Sequence, residues 1–188
     1  ALNWPVMQQV VDHLARKHPT TRFLVANYRP AHRRHCEARH LAEGSGRVEF
    51  HLGRTSEIIE AADCCLMVSG SVSLEVLARG TPTAVVYRCS RLMEFLTRRL
   101  VSCPYISLPN LLVDGELLPE FPFSGRIEPW IDPIVNTLDG WLSNSASLDS
   151  MTGRMESLYE SIGAAGASGR TAEAILGRLT AGRLAKAA

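Results

Sequence analysis

The spacing of apolar residues along this chain changes period repeatedly. Val6, Val10 and Leu14 recur at helical spacing and predict a helix over 4–17 that ends at His18-Pro19. Arg22–Ala26 (RFLVA) is a short apolar run and predicts a strand. Ala31–Glu43, rich in Arg, His and Ala, predicts an exposed helix closed by Gly44-Ser45-Gly46. Arg47–Leu52 (RVEFHL) alternates with the two-residue period of a strand. Thr55 or Ser56 can cap a helix over Glu57–Ala62, and Asp63–Val68 predicts a buried strand. Val72–Arg79 predicts a helix that stops at Gly80, with Pro82 just beyond. Thr83–Tyr87 (TAVVY) predicts the next strand, and Leu92–Val101 a helix with Leu92, Phe95, Leu96 and Leu100 on one face. Tyr105–Leu108 predicts a last strand, and residues 111–127 read as irregular. Glu128–Leu142 predicts a helix with Pro129 in its first turn. A Ser/Asn-rich link at 143–147 leads to a final helical region over 148–185, weakened at Gly163–Gly169.

Strands alternating with helices predict an α/β fold, a Rossmann-like parallel sheet with helices on both faces. Such sheets bind ligands at the carboxyl ends of their strands. The expected division is one Rossmann-like domain over 1–145, its first strand missing, and a helical tail over 146–188.

Composition narrows the function classes. The chain has 188 residues, 46% of them apolar, which suffices for one well-buried domain. A formal charge of +1 gives no net field for nucleic acid, and the local pairs Arg33–Arg34 and Arg98–Arg99 read as solvated faces. Five cysteines occur without a CxxC, which fits a reduced, cytoplasmic protein with no catalytic thiol. The six histidines form no metal constellation, since arginines surround His32 and His35, so no metal is expected. No apolar run approaches the ~20 residues of a membrane span. The chain starts at Ala1 and opens directly into a helix where a fold of this type would start with a strand, so it is expected to be part of a longer polypeptide.

The most informative stretch is Asp63–Glu75 (DCCLMVSGSVSLE). An apolar strand ends on Ser69-Gly70-Ser71, and a helix follows at once. Small residues let a ligand approach the backbone, and the unpaired amides of a helix start suit phosphate. Ser69, Ser71 and the amides of residues 70–73 can hold a diphosphate, although Ser71 is also an ordinary cap residue. Glu75 stands four residues after Ser71 and two after Ser73, so a capping box does not claim it. It can accept hydrogen bonds from ribose hydroxyls or simply complement the helix dipole. Arg88 and Asn110 lie just past two predicted strands and would share the same sheet edge, the first to pair with phosphate, the second to donate and accept. A surface ion pair and a turn-forming Asn are the plainer readings of those two residues. This layout suits a nucleoside diphosphate and points to a nucleotide-sugar enzyme.

In order along the chain, Ser69-Gly-Ser-Val-Ser-Leu-Glu75, Gly80-Thr-Pro82, Tyr87-Arg88, Arg99-Leu-Val101 and Tyr105-Ile-Ser-Leu-Pro-Asn-Leu111 resemble lipid-A-disaccharide synthase. The resemblance runs from about residue 4 to about residue 142, and the SLPNL element with its spacing is its specific part. It implies a GT-B glycosyltransferase, two Rossmann-like domains across a cleft, of which this chain would be the C-terminal, donor-binding half. The implied reaction joins UDP-2,3-diacylglucosamine to the acceptor lipid X (2,3-diacylglucosamine 1-phosphate), giving the lipid A disaccharide and UDP without a metal or other cofactor. UDP would lie around Ser69, Gly70, Ser71, Ser73 and Glu75, with Arg88 and Asn110 closing the site. The catalytic base would sit in an N-terminal domain outside this chain, leaving this half inactive alone. Two departures stand out: the family's Gly-Ser-Arg element is absent, and Pro119-Glu120-Phe-Pro-Phe123 lacks the usual following Gln.

Two other classes stay open. One is a different UDP-sugar GT-B enzyme, MurG-like or resembling UDP-GlcNAc 2-epimerase. The other is a non-catalytic nucleotide-sugar-binding module. Acylated substrates imply work at the cytoplasmic face of the inner membrane, with Leu92–Val101 and Arg91, Arg98 and Arg99 as a candidate peripheral contact. Oligomeric state is left open, a homo-oligomer included.

Overall fold

The computed structural model describes residues 3–44, 47–90, 99, 105–162 and 166–187. The elements run α1 (Trp4–Lys17), β1 (Phe23–Asn27), α2 (Pro30–Glu43), β2 (Val48–Leu52), α3 (Thr55–Ala61), β3 (Cys65–Val68), α4 (Val72–Ala78), β4 (Thr83–Arg88), α5 (Leu108–Val113), β5 (Glu120–Phe123), α6 (Glu128–Ser143), α7 (Ser145–Ser161) and α8 (Ala167–Ala187). The fold is α/β and Rossmann-like, with every strand pairing parallel. The strands form two ladders, β1–β2 and β3–β4–β5. The predicted helix Leu92–Val101, and with it the proposed membrane contact, lies outside the described residues except for Arg99. Among the described residues no helix is long and apolar enough to cross a membrane.

Local sequence explains most boundaries. Pro5 sits in the first turn of α1, where its lack of an N–H costs no hydrogen bond, and the His18 amide closes the helix onto the Leu14 carbonyl at 2.7 Å. Gly80 adopts a left-handed φ of 64° after α4. Its amide reaches the Leu77 carbonyl and that of Thr81 the Val76 carbonyl, both at 3.1 Å, which is the Schellman closure expected of a Gly-x-Pro stop. Thr81 and Thr83 are buried but satisfied, their hydroxyls donating to the carbonyls of Ile59 and Thr81.

The core centres on β4, whose Ala84, Val85 and Val86 are buried together with Val76 and Leu77 of α4. Val6, Val10 and Leu14 of α1 join it, as do Ile131, Ile134, Val135, Leu138 and Trp141 of α6. α7 was expected in a separate tail, yet its Met151, Met155 and Leu158 enter the same core. The 145/146 boundary is therefore not a packing boundary.

One predicted strand is absent. Tyr105–Leu108 is not extended into a ladder; Leu108–Val113 is helical instead, and the fifth strand is Glu120–Phe123, inside the stretch read as irregular. Two physical facts account for this. Pro109 is compatible with a first helical turn, so it starts α5 instead of ending a strand. Among the described residues β5 pairs only with β4, and Pro122 costs no ladder bond on the side away from it.

Candidate functional site

Because the strands are parallel, the segments after β3 and β4 emerge at one edge. Val68 of β3 pairs with Val86 of β4, so Ser69-Gly70-Ser71 leaves β3 next to Tyr87-Arg88, the last two residues of β4, which still pair with Pro122 and Phe123 of β5. The Ser69–Ser71 turn is open to solvent at Gly70 and Ser71, and a Cβ placed on Gly70 would meet nothing within 4 Å. The amides of Gly70 and Ser71 have no acceptor among the described residues, and that of Val72, first in α4, has none within its helix. Ser71 adopts helical dihedrals and makes no side-chain cap, leaving its hydroxyl outward. The Ser69 hydroxyl donates to the Ile106 carbonyl at 3.2 Å, tying the turn to the segment before α5.

Ser73 has a different place. Its hydroxyl is fully buried and donates back to the Gly70 carbonyl at 2.8 Å, while its amide donates to the same oxygen at 3.0 Å. It braces the turn from inside, and it does not line the open edge.

Glu75 projects from the first turn of α4, and its side chain is 35% exposed. The sequence left this carboxylate without an evident partner. One oxygen, Oε1, accepts from the Ser56 hydroxyl of α3 and lies 3.7 Å from the Arg79 guanidinium. Oε2 has no partner among the described residues. Ser56 therefore orients a half-exposed acceptor whose second oxygen is free to receive hydroxyl donors. Spacing could not have shown this, because the two residues belong to different helices.

The backbone amide of Arg88 donates to Asn3 Oδ1 at 2.9 Å, so the start of α1 lies at the same edge. Arg88 itself is half-buried.

Asn110 is fully buried, and its four hydrogen-bond positions are all taken. Nδ2 donates to the Leu118 carbonyl and to Glu120 Oε1, both at 2.8 Å. Oδ1 accepts from the amides of Leu117 at 2.9 Å and Leu118 at 2.7 Å. The Glu120 carboxylate gathers the other half of this cluster. Oε1 accepts from the Ser107 amide at 2.8 Å and the Ser107 hydroxyl at 2.6 Å, and Oε2 from the Ile106 amide at 2.8 Å. Asn110 and Glu120 form a clamp that holds residues 106–107 against β5; the ligand-contact role expected of Asn110 has no unoccupied polar atom to serve it. Glu120 was not singled out in the sequence, and its one signal is a lone carboxylate inside the apolar run PEFPF.

Cys64 is pushed up to about 12 and Cys65 to about 11 by burial, so both remain thiols. A separate open groove of about 810 Å³ lies between α5 and α7, lined by Val113, Glu116, Leu117, Arg154 and Ser157 among others, and shares no residue with the Ser69–Glu75 turn.

The family model of lipid-A-disaccharide synthetase matches residues 2–127, which contain all seven candidate residues. The chain is 37% identical over 110 residues to the lipid-A-disaccharide synthase of Pseudomonas putida (strain GB-1), covering 58% of this chain and 29% of that protein. Against the lipid-A-disaccharide synthase of Anaeromyxobacter sp. (strain K) it is 29% identical over 173 residues, 92% of this chain and 44% of the relative. The protein of that name from Chromohalobacter salexigens is 32% identical over 157 residues, 82% of this chain and 39% of its own length. The chain thus spans less than half the length of these relatives.

Proposed function

This chain belongs to the lipid-A-disaccharide synthetase family, and from that premise we propose that it is the donor-binding part of a glycosyltransferase that takes a UDP-linked acylated glucosamine. The full reaction would transfer that sugar, from UDP-2,3-diacylglucosamine, to the 6-hydroxyl of 2,3-diacylglucosamine 1-phosphate and release UDP. The observation that carries the reading is the open Gly70–Val72 turn at the carboxyl end of β3, the Gly70 and Ser71 amides without an acceptor among the described residues, with the oriented Glu75 carboxylate one turn on.

This chain's share of the work is to hold the leaving group. As the bond to the anomeric carbon breaks, negative charge grows on the diphosphate. The Gly70, Ser71 and Val72 amides and the Arg88 guanidinium would meet that charge. Each charge-assisted hydrogen bond contributes about 1.5–3 kcal/mol. Glu75 Oε2 would accept from the ribose hydroxyls and set the nucleoside's register. The base that deprotonates the acceptor would come from polypeptide outside this chain. Acylated substrates would bring the whole enzyme to the cytoplasmic face of a membrane.

Calorimetric titration of UDP into the 188-residue chain tests the reading. Weak, saturable binding is expected, with no sugar transfer by this chain alone. No binding by wild type, or equal binding by wild type and Glu75→Ala, would refute it. The other classes are separated by product analysis of the full-length enzyme with acylated and plain UDP-glucosamine donors.

A further inference from the structure

We propose that the outward face of α5, together with Leu74 of α4, seats one fatty-acyl chain of the donor sugar. The proposal rests on the donor-binding reading and adds to it the place where the lipid part of the substrate lies.

The polarity of α5 is inverted. A helix on a protein surface normally turns its apolar residues to the core and its polar ones to water. α5 (Leu-Pro-Asn-Leu-Leu-Val) does the reverse. Its amide residue, Asn110, is fully buried, whereas Leu108, Leu111, Leu112 and Val113 are each between 39% and 50% exposed. Leu108, Leu111 and Leu112 stand three and four apart and so share one face. Asn110 holds the helix in this orientation through its hydrogen bonds to Leu117, Leu118 and Glu120. A rotation that hid the leucines would break those bonds in a buried setting, at the cost of stranded polar groups. The fold therefore fixes the leucines at the surface. No charged side chain occurs from Tyr105 to Val113, and Asp114 follows directly. An uncharged, contiguous apolar surface of this kind marks a contact with something apolar.

Two links join this face to the donor turn. The Ser69 hydroxyl donates to the Ile106 carbonyl at 3.2 Å, two residues before α5 begins. α5 also packs on α4. Glu75 and Arg79 of α4 both reach α3, at Ser56 and Glu60. Leu74, about 100° round the helix from Glu75, does not share that flank. Its side chain is left 42% exposed, and its amide donates to the Ser71 carbonyl at 3.2 Å. The apolar surface thus begins at the donor turn itself.

Position and chemistry name the occupant. A diphosphate held at Gly70–Val72 leaves the sugar just beyond the turn, and the acyl chains branch from that sugar. Beyond its carbonyl such a chain has no polar atom, and it gains by leaving water for an apolar surface. The six residues of α5 offer a strip about 9 Å long, which covers the part of the chain nearest the sugar.

The test is calorimetric titration of the 188-residue chain with UDP, plain UDP-glucosamine and short-chain UDP-2,3-diacylglucosamine, the last below its aggregation threshold in detergent-free buffer. The acylated donor should bind about tenfold more tightly than the plain one, the equivalent of roughly two buried methylenes. The exposed pair Leu111→Gln/Leu112→Gln should cut that gain below about threefold and leave UDP affinity within about twofold of wild type. Leu179→Gln, at an exposed leucine of α8, should keep the full gain. UDP bound normally with no gain from acylation, or a gain that survives in the double variant, would overturn this proposal alone. Failure of UDP itself to bind would overturn the donor reading and this proposal with it. An equal loss in Leu179→Gln would also overturn it, as unspecific adhesion. Sedimentation and vesicle flotation without donor check the other occupants. A dimer, or binding to phosphatidylcholine vesicles, that the double variant abolishes would assign the face to a second copy or to the bilayer and overturn the proposal.

Discussion

The two signature segments of this chain look alike in sequence and behave in opposite ways. Ser69–Glu75 and Ser107–Asn110 are both short, rich in hydroxyl and amide groups, and followed by or opening a helix of six or seven residues. In the first, the Gly70 and Ser71 amides and one Glu75 oxygen have no partners among the described residues. In the second, Asn110 has every polar position filled, and Glu120 takes up the Ile106 and Ser107 amides. An open hydrogen-bond position is available to a ligand, whereas a filled one holds the chain in place. The difference teaches that a polar motif carries binding only where its donors and acceptors are left over after folding.

The largest effect that would break this comparison is expected at the closed segment. Asn110→Ala removes four hydrogen bonds in a fully buried setting and strands the Leu117 and Leu118 amides. It should cost about 3–5 kcal/mol, a large share of the ~5–15 kcal/mol typical of a domain. Urea denaturation measures it, and a loss near zero would show that the clamp is not structural.

Glu75→Ala should do the converse. UDP affinity should fall about ten- to a hundredfold, the equivalent of one or two hydrogen bonds to a charged group. The denaturation midpoint should barely move, since Ser56 and Arg79 are left beside solvent. A large loss of stability with intact UDP binding would reverse the assignment of the two segments.

Gly70→Ala sharpens the contrast further. A Cβ there meets no protein atom within 4 Å, and Gly70 is not among the left-handed glycines. Stability should stay within about 1 kcal/mol of wild type or rise slightly. UDP binding should weaken about fivefold or more if the diphosphate rests against this backbone. Titration calorimetry paired with denaturation reads both quantities. Ser56→Ala, which only frees the Glu75 carboxylate to turn, should weaken UDP by about two- to fivefold.

The smallest effect lies away from both segments. Lys17 and His18 hydrogen-bond to Asp139 and hold its carboxyl below the usual range. A folded-state pKa below the unfolded one gives stability that is full above the unfolded value and is lost as pH falls through the folded one. Acid titration of stability should therefore show a small loss in that window, removed by Asp139→Asn, with UDP affinity untouched. An acid loss that persists in Asp139→Asn would place its source elsewhere.

Much of this was legible in the sequence because periodicity and stop signals are local. The period of Val6, Val10 and Leu14, the Gly80-Pro82 stop and the apolar runs at Leu66 and Val85 each appear where expected. What was not legible depends on partners far along the chain. Tyr105–Leu108 has the composition of a strand, but its amides at Ile106 and Ser107 bond to the carboxylate of Glu120 instead of to a neighbouring strand. Phe121-Pro122-Phe123 reads as irregular because the sequence cannot say that this strand will lie on an outer edge. The same limit applies within the site. Ser73 and Asn110 carry suitable groups, and only the fold reveals that both point inward. Glu75 is the converse case, since its Ser56 partner comes from a different helix and leaves the second oxygen open.

The most direct test of the open turn is a UDP titration followed by backbone amide chemical shifts. The account predicts saturable shifts largest at Gly70, Ser71 and Val72, extending to Glu75 and Arg88, with the midpoint moved to about ten- to a hundredfold higher UDP in Glu75→Ala. Shifts centred on the groove at Glu116 and Arg154, or none at Gly70–Val72 when UDP is bound, would contradict it.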